Sequence, residues 1–427
     1  MQFQSLPEWL HYQERLHPNP IDLGLERLAQ VLARLHWRPF NCPVITVGGT
    51  NGKGSCVALI DSILSAEGYR VGTFTSPHLI RYSERIKIAD QEISDASLIA
   101  AFERIEDARD TVSLTFFEFN TLAALLIFQT AALDAVVLEV GLGGKLDAVN
   151  IVDPDVAIVS SIALDHCDWL GNDLDSIARW KAGIFRADRP AIFGSRTMPK
   201  AITEEAQRIG ANLQRLGAQF YFTRRDDRWN WRGRIEVHGL PLPGLPGDTQ
   251  LDNASTVLAA LDCLRERLPI ARESIDAGLR NVKLAGRFQV VAAVTPTPRE
   301  WVLDVAHNPA AAEILSRNLG ASEFAGGTIA VCGMFGDKDV DGVIAAVAAQ
   351  IDVWVTAGVS GGRALASGEL AAKISAHGGS VAFVAGDVVS ACRHAQRISG
   401  AADRIVVFGS FHTVGPALEW LSAQQST

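Results

Sequence analysis

The chain has few of the features that mark secreted, membrane or nucleic-acid-binding proteins. Its six cysteines are scattered without a C-x-x-C pair, which indicates reduced, buried thiols in a cytosolic protein. Residues 1–8 contain neither a basic region nor an apolar run, so we expect no signal peptide. The longest apolar stretch, residues 122–140, is interrupted by Gln129, Asp134 and Glu139. It therefore predicts a buried helix followed by a strand rather than a membrane span.

Positive charge is also scarce, since the formal net charge is −9. This balance argues against a general nucleic-acid or membrane-surface binder, although a local basic pocket for an acidic ligand stays open. The 427 residues are 48% hydrophobic and 20% charged. Such a composition predicts a globular protein with two or three domains and a substantial core.

The most informative stretch is a glycine-rich loop between a predicted strand and a predicted helix. Residues 44–47 are Val-Ile-Thr-Val, and residues 48–55 read Gly-Gly-Thr-Asn-Gly-Lys-Gly-Ser. Backbone N–H groups of such a loop can surround phosphate oxygens, and the lysine and the helix N-terminus add positive charge. The spacing differs from the standard phosphate-binding loop, because Val47 replaces the first glycine and Ser55 lies two residues after Lys53. We therefore predict a variant class of nucleotide-binding loop.

Strand-like and helix-like segments alternate along both halves of the chain, which predicts mostly parallel sheets with helices on both faces. Aromatic residues interleaved with charges over 218–237 predict a short antiparallel excursion. The fold class is therefore α/β, with an N-terminal phosphate-loop domain and a smaller Rossmann-like C-terminal domain. We place the two domains at residues 1–290 and 291–427, with the turn 295–298 (TPTP) close to the boundary.

Polar residues follow several predicted strands of the first domain. Glu139 ends an apolar strand, Asp165 and His166 follow the strand at 156–160, and Ser76 follows the strand at 70–75. Because the carboxyl ends of parallel strands share one sheet edge, these groups can meet beside the phosphate loop, where a carboxylate can face Mg²⁺. A solvated carboxylate, a structural histidine and an ordinary loop remain the alternatives from these residues alone.

At this point the chain resembles a known family, the bacterial dihydrofolate synthase/folylpolyglutamate synthase enzymes of the Mur-ligase superfamily. The resemblance covers most of the chain and consists of ten motifs in order. They are 21–27 (IDLGLER), 49–55 (GTNGKGS), 76–79 (SPHL), 139–144 (EVGLGG), 165–171 (DHCDWLG), 181–186 (KAGIFR), 286–289 (GRFQ), 304–309 (DVAHNP), 337–339 (DKD) and 409–414 (GSFHTV).

The resemblance implies a ligase that transfers the γ-phosphoryl group of ATP to a carboxylate and then attaches L-glutamate to the acyl phosphate. The implied substrates are dihydropteroate and reduced folates. It implies ATP contacts from Asn51, Gly52, Lys53, Gly54, Ser55, Asn253, Arg287 and Asp304. It also implies two Mg²⁺ ions with Ser76, Glu139 and His166 as ligands. The ATP contacts at the domain boundary imply that the nucleotide closes the two domains.

The resemblance further implies catalytic roles for Lys53, for Lys181 as a carbamylated lysine, and for His307 and Ser410 facing the glutamate. Segments that match dihydropteroate contacts contain Thr115, Phe116, Phe117 and Glu118, followed by Leu146, Asp147 and Ala148. Aromatic faces beside a carboxylate suit a flat pterin with N–H donors, whereas core packing is the other interpretation of the two phenylalanines. The sequence departs from the family pattern at Ser83, Lys145, Val149 and Trp180.

Three alternatives stay open. The first is a folylpolyglutamate synthase without the dihydropteroate reaction. The second is a muropeptide ligase of the same superfamily, although the phosphate loop begins by residue 48 and leaves little room for a preceding UDP-binding domain. The third is a nucleotide-dependent switch without ligase chemistry, which would not need the 304–309 segment. We expect a cytoplasmic monomer that binds small molecules and neither nucleic acid nor membrane.

Overall fold

A computed structural model describes residues 3–292, 300–321, 324 and 326–425. The first domain is built on an eight-stranded sheet whose order is β4-β3-β2-β5-β1-β6-β7-β8. Its strands are β1 (Val44–Gly48), β2 (Val71–Phe74), β3 (Ile86–Ile88), β4 (Gln91–Glu92), β5 (Ala135–Glu139), β6 (Val156–Val159), β7 (Pro190–Phe193) and β8 (Asn212–Arg215). The neighbouring strands β2, β5, β1, β6, β7 and β8 pair in parallel. At one edge of the sheet, β3 and β4 are added in antiparallel pairing.

Helices cover both faces of this sheet. They are α1 (Leu6–Leu16), α2 (Glu26–Arg34), α3 (Lys53–Ala66), α4 (Asp95–Arg109), α5 (Phe116–Thr130), α6 (Cys167–Leu170), α7 (Leu174–Ala182), α8 (Lys200–Ile209), α9 (Thr249–Cys263) and α10 (Arg272–Asn281). Successive residues of β5 alternate between the two faces, so Val136 joins the core under α5 and Val137 joins the core under α3. The central strands are therefore buried on both sides, as expected for parallel strands.

The predicted antiparallel excursion is a three-stranded sheet that packs beside α9. Its strands are β9 (Tyr221–Arg225), β10 (Arg228–Arg232) and β11 (Glu236–Pro241). Trp229 and Trp231 are buried, and each indole N–H has a backbone acceptor, Pro241 O at 2.7 Å and Ser255 O at 3.1 Å. These aromatic residues therefore anchor the small sheet to the first domain.

The second sheet has six strands in the order β12-β13-β17-β14-β15-β16. They are β12 (Gln289–Ala292), β13 (Glu300–Asp304), β14 (Thr328–Cys332), β15 (Val353–Ala357), β16 (Val381–Ala385) and β17 (Arg404–Phe408). Only β12 pairs in the antiparallel direction. The helices are α11 (Pro309–Ala321), α12 (Val340–Val347), α13 (Ser367–Ala376), α14 (Val388–Ile398) and α15 (Phe411–Gln425).

The predicted α/β fold class with two sheets is confirmed, but several predicted details differ. The apolar stretch 122–140 contains part of α5 followed by β5, as predicted, but α5 already begins at Phe116, where Thr115 caps it. All six cysteines are free as expected, yet Cys42, Cys167 and Cys263 are only partly buried. The predicted turn 295–298 lies outside the described residues. Within the part of the chain that the structure describes, no helix is long and apolar enough to cross a membrane.

Candidate active site

A cavity of about 520 Å³ lies where the carboxyl ends of the strands of the two large sheets face each other. The first domain contributes the residues after β1, β2, β5 and β6, and the second contributes the residues after β13, β14 and β17. Most of the predicted site residues line it. They are Asn51, Gly52, Lys53, Gly54, Ser55, Ser76, Glu139, His166, Lys181, Asn253, Arg287, Asp304, His307 and Ser410. Ligands commonly bind at this edge of α/β sheets.

The glycine-rich loop wraps the N-terminus of α3. Gly52 caps the helix with a φ of 90°, and a Cβ there would lie 2.6 Å from Asn253 Oδ1, so only glycine fits without displacement. Two serines after β6 fix the loop, since Ser160 Oγ and Ser161 Oγ donate to Asn51 O at 2.7 and 2.9 Å. The serine pair was not singled out from the sequence, although its position after a strand was the available signal.

Two lysine amines converge on one carbonyl of this loop. Lys53 Nζ donates to Gly49 O at 3.2 Å, and Lys181 Nζ donates to the same oxygen at 2.9 Å. Lys181 is 5% exposed. Burial, followed by the charge of Lys53, lowers the pKa of Lys181 to about 7. Lys181 therefore lies in the interior of the site rather than on the surface.

The three predicted metal ligands lie at or after the carboxyl ends of β2, β5 and β6; β2 and β5 are neighbours, whereas β1 lies between β5 and β6. Glu139 is buried, and one of its oxygens accepts the Ser76 N–H at 3.1 Å. Burial raises the pKa of Glu139, whereas Lys53 and Arg287 oppose that shift. His166 has a left-handed φ of 53°, and burial lowers its pKa to about 3, so its imidazole is neutral and able to donate a lone pair.

This donor set fits a hard divalent cation that keeps most of its water or phosphate ligands. A carboxylate and a hydroxyl are oxygen donors of the kind that Mg²⁺ prefers, and Mg²⁺ often takes only one or two carboxylates from a protein. The described residues contain no group of three or more His, Cys, Asp or Glu side chains that could hold a metal ion.

Two partly buried charged groups, Arg287 at the domain boundary and Asp304 at the end of β13, also line the cavity. Arg287 stacks over Phe411, with its guanidinium carbon 5.2 Å from the ring centroid, and one of its terminal nitrogens faces Gly54. Asp304 accepts the N–H groups of Phe288 and Ala306 at 2.9 and 2.8 Å. Burial lowers the pKa of Arg287 and raises that of Asp304, and each charge opposes the shift of the other.

His307 and Ser410 face the same cavity from the loops after β13 and β17. His307 Nδ1 lies 2.8 Å from Val305 O, so Nδ1 carries the proton because a carbonyl only accepts. Ser410 Oγ lies 2.7 Å from Thr413 Oγ1, which in turn donates to Gly333 O at 2.6 Å. The Ser410 hydroxyl therefore donates to Thr413, and its lone pairs are left for another donor.

The sequence predicted only that Asp165 follows a strand beside the phosphate loop, but in the structure Asp165 also contacts the second domain. Its carboxylate lies 2.6 Å from Lys338 Nζ, 3.2 Å from Asn308 Nδ2 and 3.6 Å from His307 Nε2. Burial opposes ionisation, but the nearby His307 and the positive charge of Lys338 outweigh it and hold the pKa of Asp165 well below its usual range. No local pattern could have revealed these contacts, because Lys338 lies in a different domain.

The predicted dihydropteroate segments do not line this cavity. Thr115 and Glu118 form a capping box at the start of α5, in which Glu118 Oε2 accepts both the N–H and the hydroxyl of Thr115. Phe117 stacks on Phe74 at 5.8 Å. Asp147 accepts the N–H groups of Leu142 and Val149, and burial raises its pKa to about 7.

The two segments nevertheless border the cavity through the glycine loop that follows β5. A Cβ at Gly141 would lie 2.6 Å from Phe117 Cζ, and Gly141 itself lines the cavity. Leu146 and Ala148 flank the buried Asp147, which holds Leu142 of the same loop. The residues predicted to contact dihydropteroate therefore pack against the glycine loop that follows β5, and this loop lies between them and the cavity.

Arg85 lies close to Phe116 and within electrostatic range of Glu139, and it was not among the site residues predicted from the sequence. It is 8% exposed, and its Nε donates to His78 Nδ1 at 2.8 Å. Its guanidinium carbon lies 5.4 Å from the ring centroid of Phe116. No ion pair joins Arg85 to a carboxylate within the described residues; Glu139 and Glu84 act on it only at longer range. A buried cation so placed can attract an anionic ligand.

Comparisons with known proteins agree with this geometry. Residues 47–219 match the Mur ligase middle domain, and residues 286–411 match the Mur ligase, glutamate ligase domain. The dihydrofolate synthase/folylpolyglutamate synthase of Escherichia coli is 45% identical, covering 99% of this chain and 96% of the relative. The enzyme of the same name from Haemophilus influenzae is 40% identical, with 96% of each chain covered.

Solved structures extend the likeness to the whole fold. E. coli FolC in complex with DHPP and ADP has a TM-score of 0.93 and 43% identity, with 100% of each chain covered. A bifunctional folylpolyglutamate synthase/dihydrofolate synthase with Mn, AMPPNP and L-glutamate bound has a TM-score of 0.89 and 43% identity, with 99% of each chain covered. The phosphate loop, the two facing sheets and these matches over nearly the full length lead to one conclusion. The chain belongs to the dihydrofolate synthase/folylpolyglutamate synthase family of ATP-dependent Mur-type ligases.

Proposed function

We propose that this protein attaches L-glutamate to 7,8-dihydropteroate, giving dihydrofolate, and to reduced folates, giving folylpolyglutamates, through an acyl phosphate made from ATP. One observation carries the proposal. The phosphate loop of the first domain and the loops of His307 and Ser410 in the second line a single cavity. Phosphorylation and amide formation need such an arrangement, because the acyl phosphate must meet the amine before water does.

The residues of the chain divide the reaction between the two domains. Backbone N–H groups at the start of α3 and the Lys53 amine would hold the phosphates and offset the charge that develops during transfer. Arg287, at the domain boundary, would approach the nucleotide from the side of the second sheet. Ser410, whose lone pairs face the cavity, would accept from the ammonium group of the incoming amino acid, and His307 would lie beside it.

Ser76, Glu139 and His166 would hold Mg²⁺, in one or two ions, which when bound neutralises phosphate oxygens. We also propose that Lys181 is carbamylated. Its pKa of about 7 supports this modification, because only a neutral amine adds to carbon dioxide. The product is a carboxylate, which would be attracted by a nearby cation where an ammonium group would be repelled.

The acceptor carboxylate would lie between Arg85 and Lys53, with the pterin ring toward the segments 115–118 and 146–148. Arg85 supports this placement because it supplies a buried positive charge between Phe116 and Glu139. We further propose the domain division 1–290 and 291–427, closure of the domains on ATP, and a cytoplasmic monomer whose partners are small molecules rather than nucleic acid or membranes.

The deciding experiment measures phosphate release from ATP and Mg²⁺ with L-glutamate, using dihydropteroate and tetrahydrofolate as alternative acceptors. Glutamate-dependent release with both acceptors would support the bifunctional enzyme. Release with tetrahydrofolate alone would restrict the activity to polyglutamylation and remove the pterin role of 115–118. Release with neither acceptor, from folded protein, would count against the proposal, and UDP-linked muropeptides would then be tested. Reactions without glutamate are the matched control.

A further inference from the structure

A small group of polar side chains joins the two domains next to the phosphate loop. Its centre is Asp165, whose side chain is 8% exposed and lies 2.6 Å from the Nζ of Lys338, itself 9% exposed. Asn308 donates to the other carboxylate oxygen at 3.2 Å. The group therefore pairs one carboxylate of the first domain with a cation and an amide of the second.

A second contact reinforces the first. Asn51, in the phosphate loop, and Asn308 face each other with their amide groups 3.1 Å apart. Asn308 precedes α11 and its Oδ1 accepts the N–H of Ala311 at 2.9 Å, which orients the side chain. One residue of the second domain thus reaches both the phosphate loop and Asp165.

The charge balance of this group explains why it holds the domains together. A cation as buried as Lys338 is costly without an anion, and among the described residues Asp165 is the carboxylate that pairs with it. Separating the domains would expose both groups to water again, whereas removing either charge alone would leave the other one buried without its partner. The pair therefore favours a specific arrangement of the domains.

The same carboxylate also orients parts of the proposed reaction centre. Asp165 Oδ1 accepts the N–H of His166, the residue with a left-handed backbone, and His307 Nε2 lies 3.6 Å from Asp165 Oδ2. A single side chain thus connects the loop of a proposed metal ligand with the loop that faces the amino acid.

We propose that Asp165 is a positioning residue of the ligation reaction, which latches Lys338, His307 and Asn308 of the second domain onto the phosphate-loop domain and so completes the amino-acid half of the site. The latch would act on the glutamate step rather than on nucleotide binding. This inference rests on the proposed function for its kinetic consequences, but the domain contact can be measured without any turnover.

The test compares Asp165→Asn, Lys338→Gln and the double variant with the wild type, and uses Asp168→Asn, at an exposed position in the adjacent helix α6, as the control. We expect Asp165→Asn to raise the KM for glutamate and lower kcat/KM on the order of a hundredfold, as expected for a broken buried pair. The Kd for ADP with Mg²⁺ should change less than about threefold, because Asp165 contacts His307, Asn308 and Lys338 rather than the glycine-rich loop that would hold the phosphates. The double variant should lose little more than either single variant, because the two residues act as one pair.

Small-angle scattering of the ligand-free proteins gives an independent result. The latch predicts a larger radius of gyration for Asp165→Asn and Lys338→Gln than for the wild type and Asp168→Asn.

Unchanged scattering, with weakened ADP–Mg²⁺ binding and an unchanged KM for glutamate, would overturn the inference, because Asp165 would then act on the phosphate side. Strictly additive losses in the double variant would overturn it as well. A wild type without glutamate-dependent turnover would instead refute the proposed function and leave the scattering comparison to judge the latch. If Asp165→Asn does not fold, the same readouts on Lys338→Gln decide.

Discussion

Replacing Lys181 by methionine should make the protein more stable at neutral pH while abolishing its ligase activity. The lysine is buried, and its pKa falls from an ordinary 10.5 to about 7. At about 1.4 kcal/mol per pH unit, that difference corresponds to roughly 5 kcal/mol of unfavourable burial of the ammonium form. Methionine has a similar length and no charge, but it loses the hydrogen bond to Gly49 O, worth about 1 kcal/mol. The net gain should be roughly 4 kcal/mol.

The sign of the pH dependence follows from which state binds the proton. Below pH 7 both the folded and the unfolded chain carry protonated Lys181, so the cost of burial is fully present. Between about pH 7 and 10.5 the unfolded chain binds a proton that the folded chain has lost, so the unfolding free energy of the wild type rises with pH. The advantage of the methionine variant should therefore shrink by about 1.4 kcal/mol per pH unit in this window.

The assay is urea unfolding of the wild type and Lys181→Met at pH 6, 7, 8 and 9 in degassed buffer, which keeps the lysine an amine. Lys200→Met, at an exposed position, is the control and should show no such trend. A stability difference that stays constant from pH 6 to 9 would refute the reasoning, because Lys181 would then not titrate in the folded protein. Retained ligase activity in Lys181→Met would refute its proposed carbamylation.

Three further predictions test other parts of the site and the fold. Lys53→Ala should abolish ATP turnover while circular dichroism stays unchanged; turnover that persists would mean that the loop does not bind phosphate. Arg85→Gln should raise the KM for the acceptor by tenfold or more, since a buried charge pair contributes about 1.5 kcal/mol or more, and should leave the KM for ATP unchanged. Exposed Arg81→Gln serves as its control, and equal effects of the two variants would exclude a specific role. Trp229→Phe should lower the unfolding free energy by about 1–3 kcal/mol, because Pro241 O loses its buried donor, as measured by urea unfolding; an unchanged value would mean that water replaces the indole.

Some features of the proposed site depend on neighbouring residues, whereas others depend on contacts between segments that are distant in sequence. Gly52 must be glycine because of its positive φ and the nearby Asn253, and the loop was recognisable because these demands act over a few neighbouring residues. The start of α5 at Phe116 is also determined locally, because the Thr115–Glu118 capping box satisfies the first N–H groups of the helix.

Contacts between distant segments could not be predicted from local sequence patterns. Nothing local links Asp165 to Lys338, and a buried pair across 173 residues depends on how the two sheets approach each other. The burial of Lys181 is similar, because its neighbour Trp180 and the helix pattern of α7 do not reveal that the amine reaches Gly49 O, 132 residues away.

By itself the sequence determined the α/β alternation, the phosphate loop and the family, because strand and helix periodicity, glycine conformation and short motifs depend on neighbouring residues. Only the tertiary structure decided which polar side chains are buried, which are paired across the domains and which titrate near neutral pH. Those properties depend on desolvation and on charges only a few ångströms apart, and chain folding brings these together from segments that are remote in sequence.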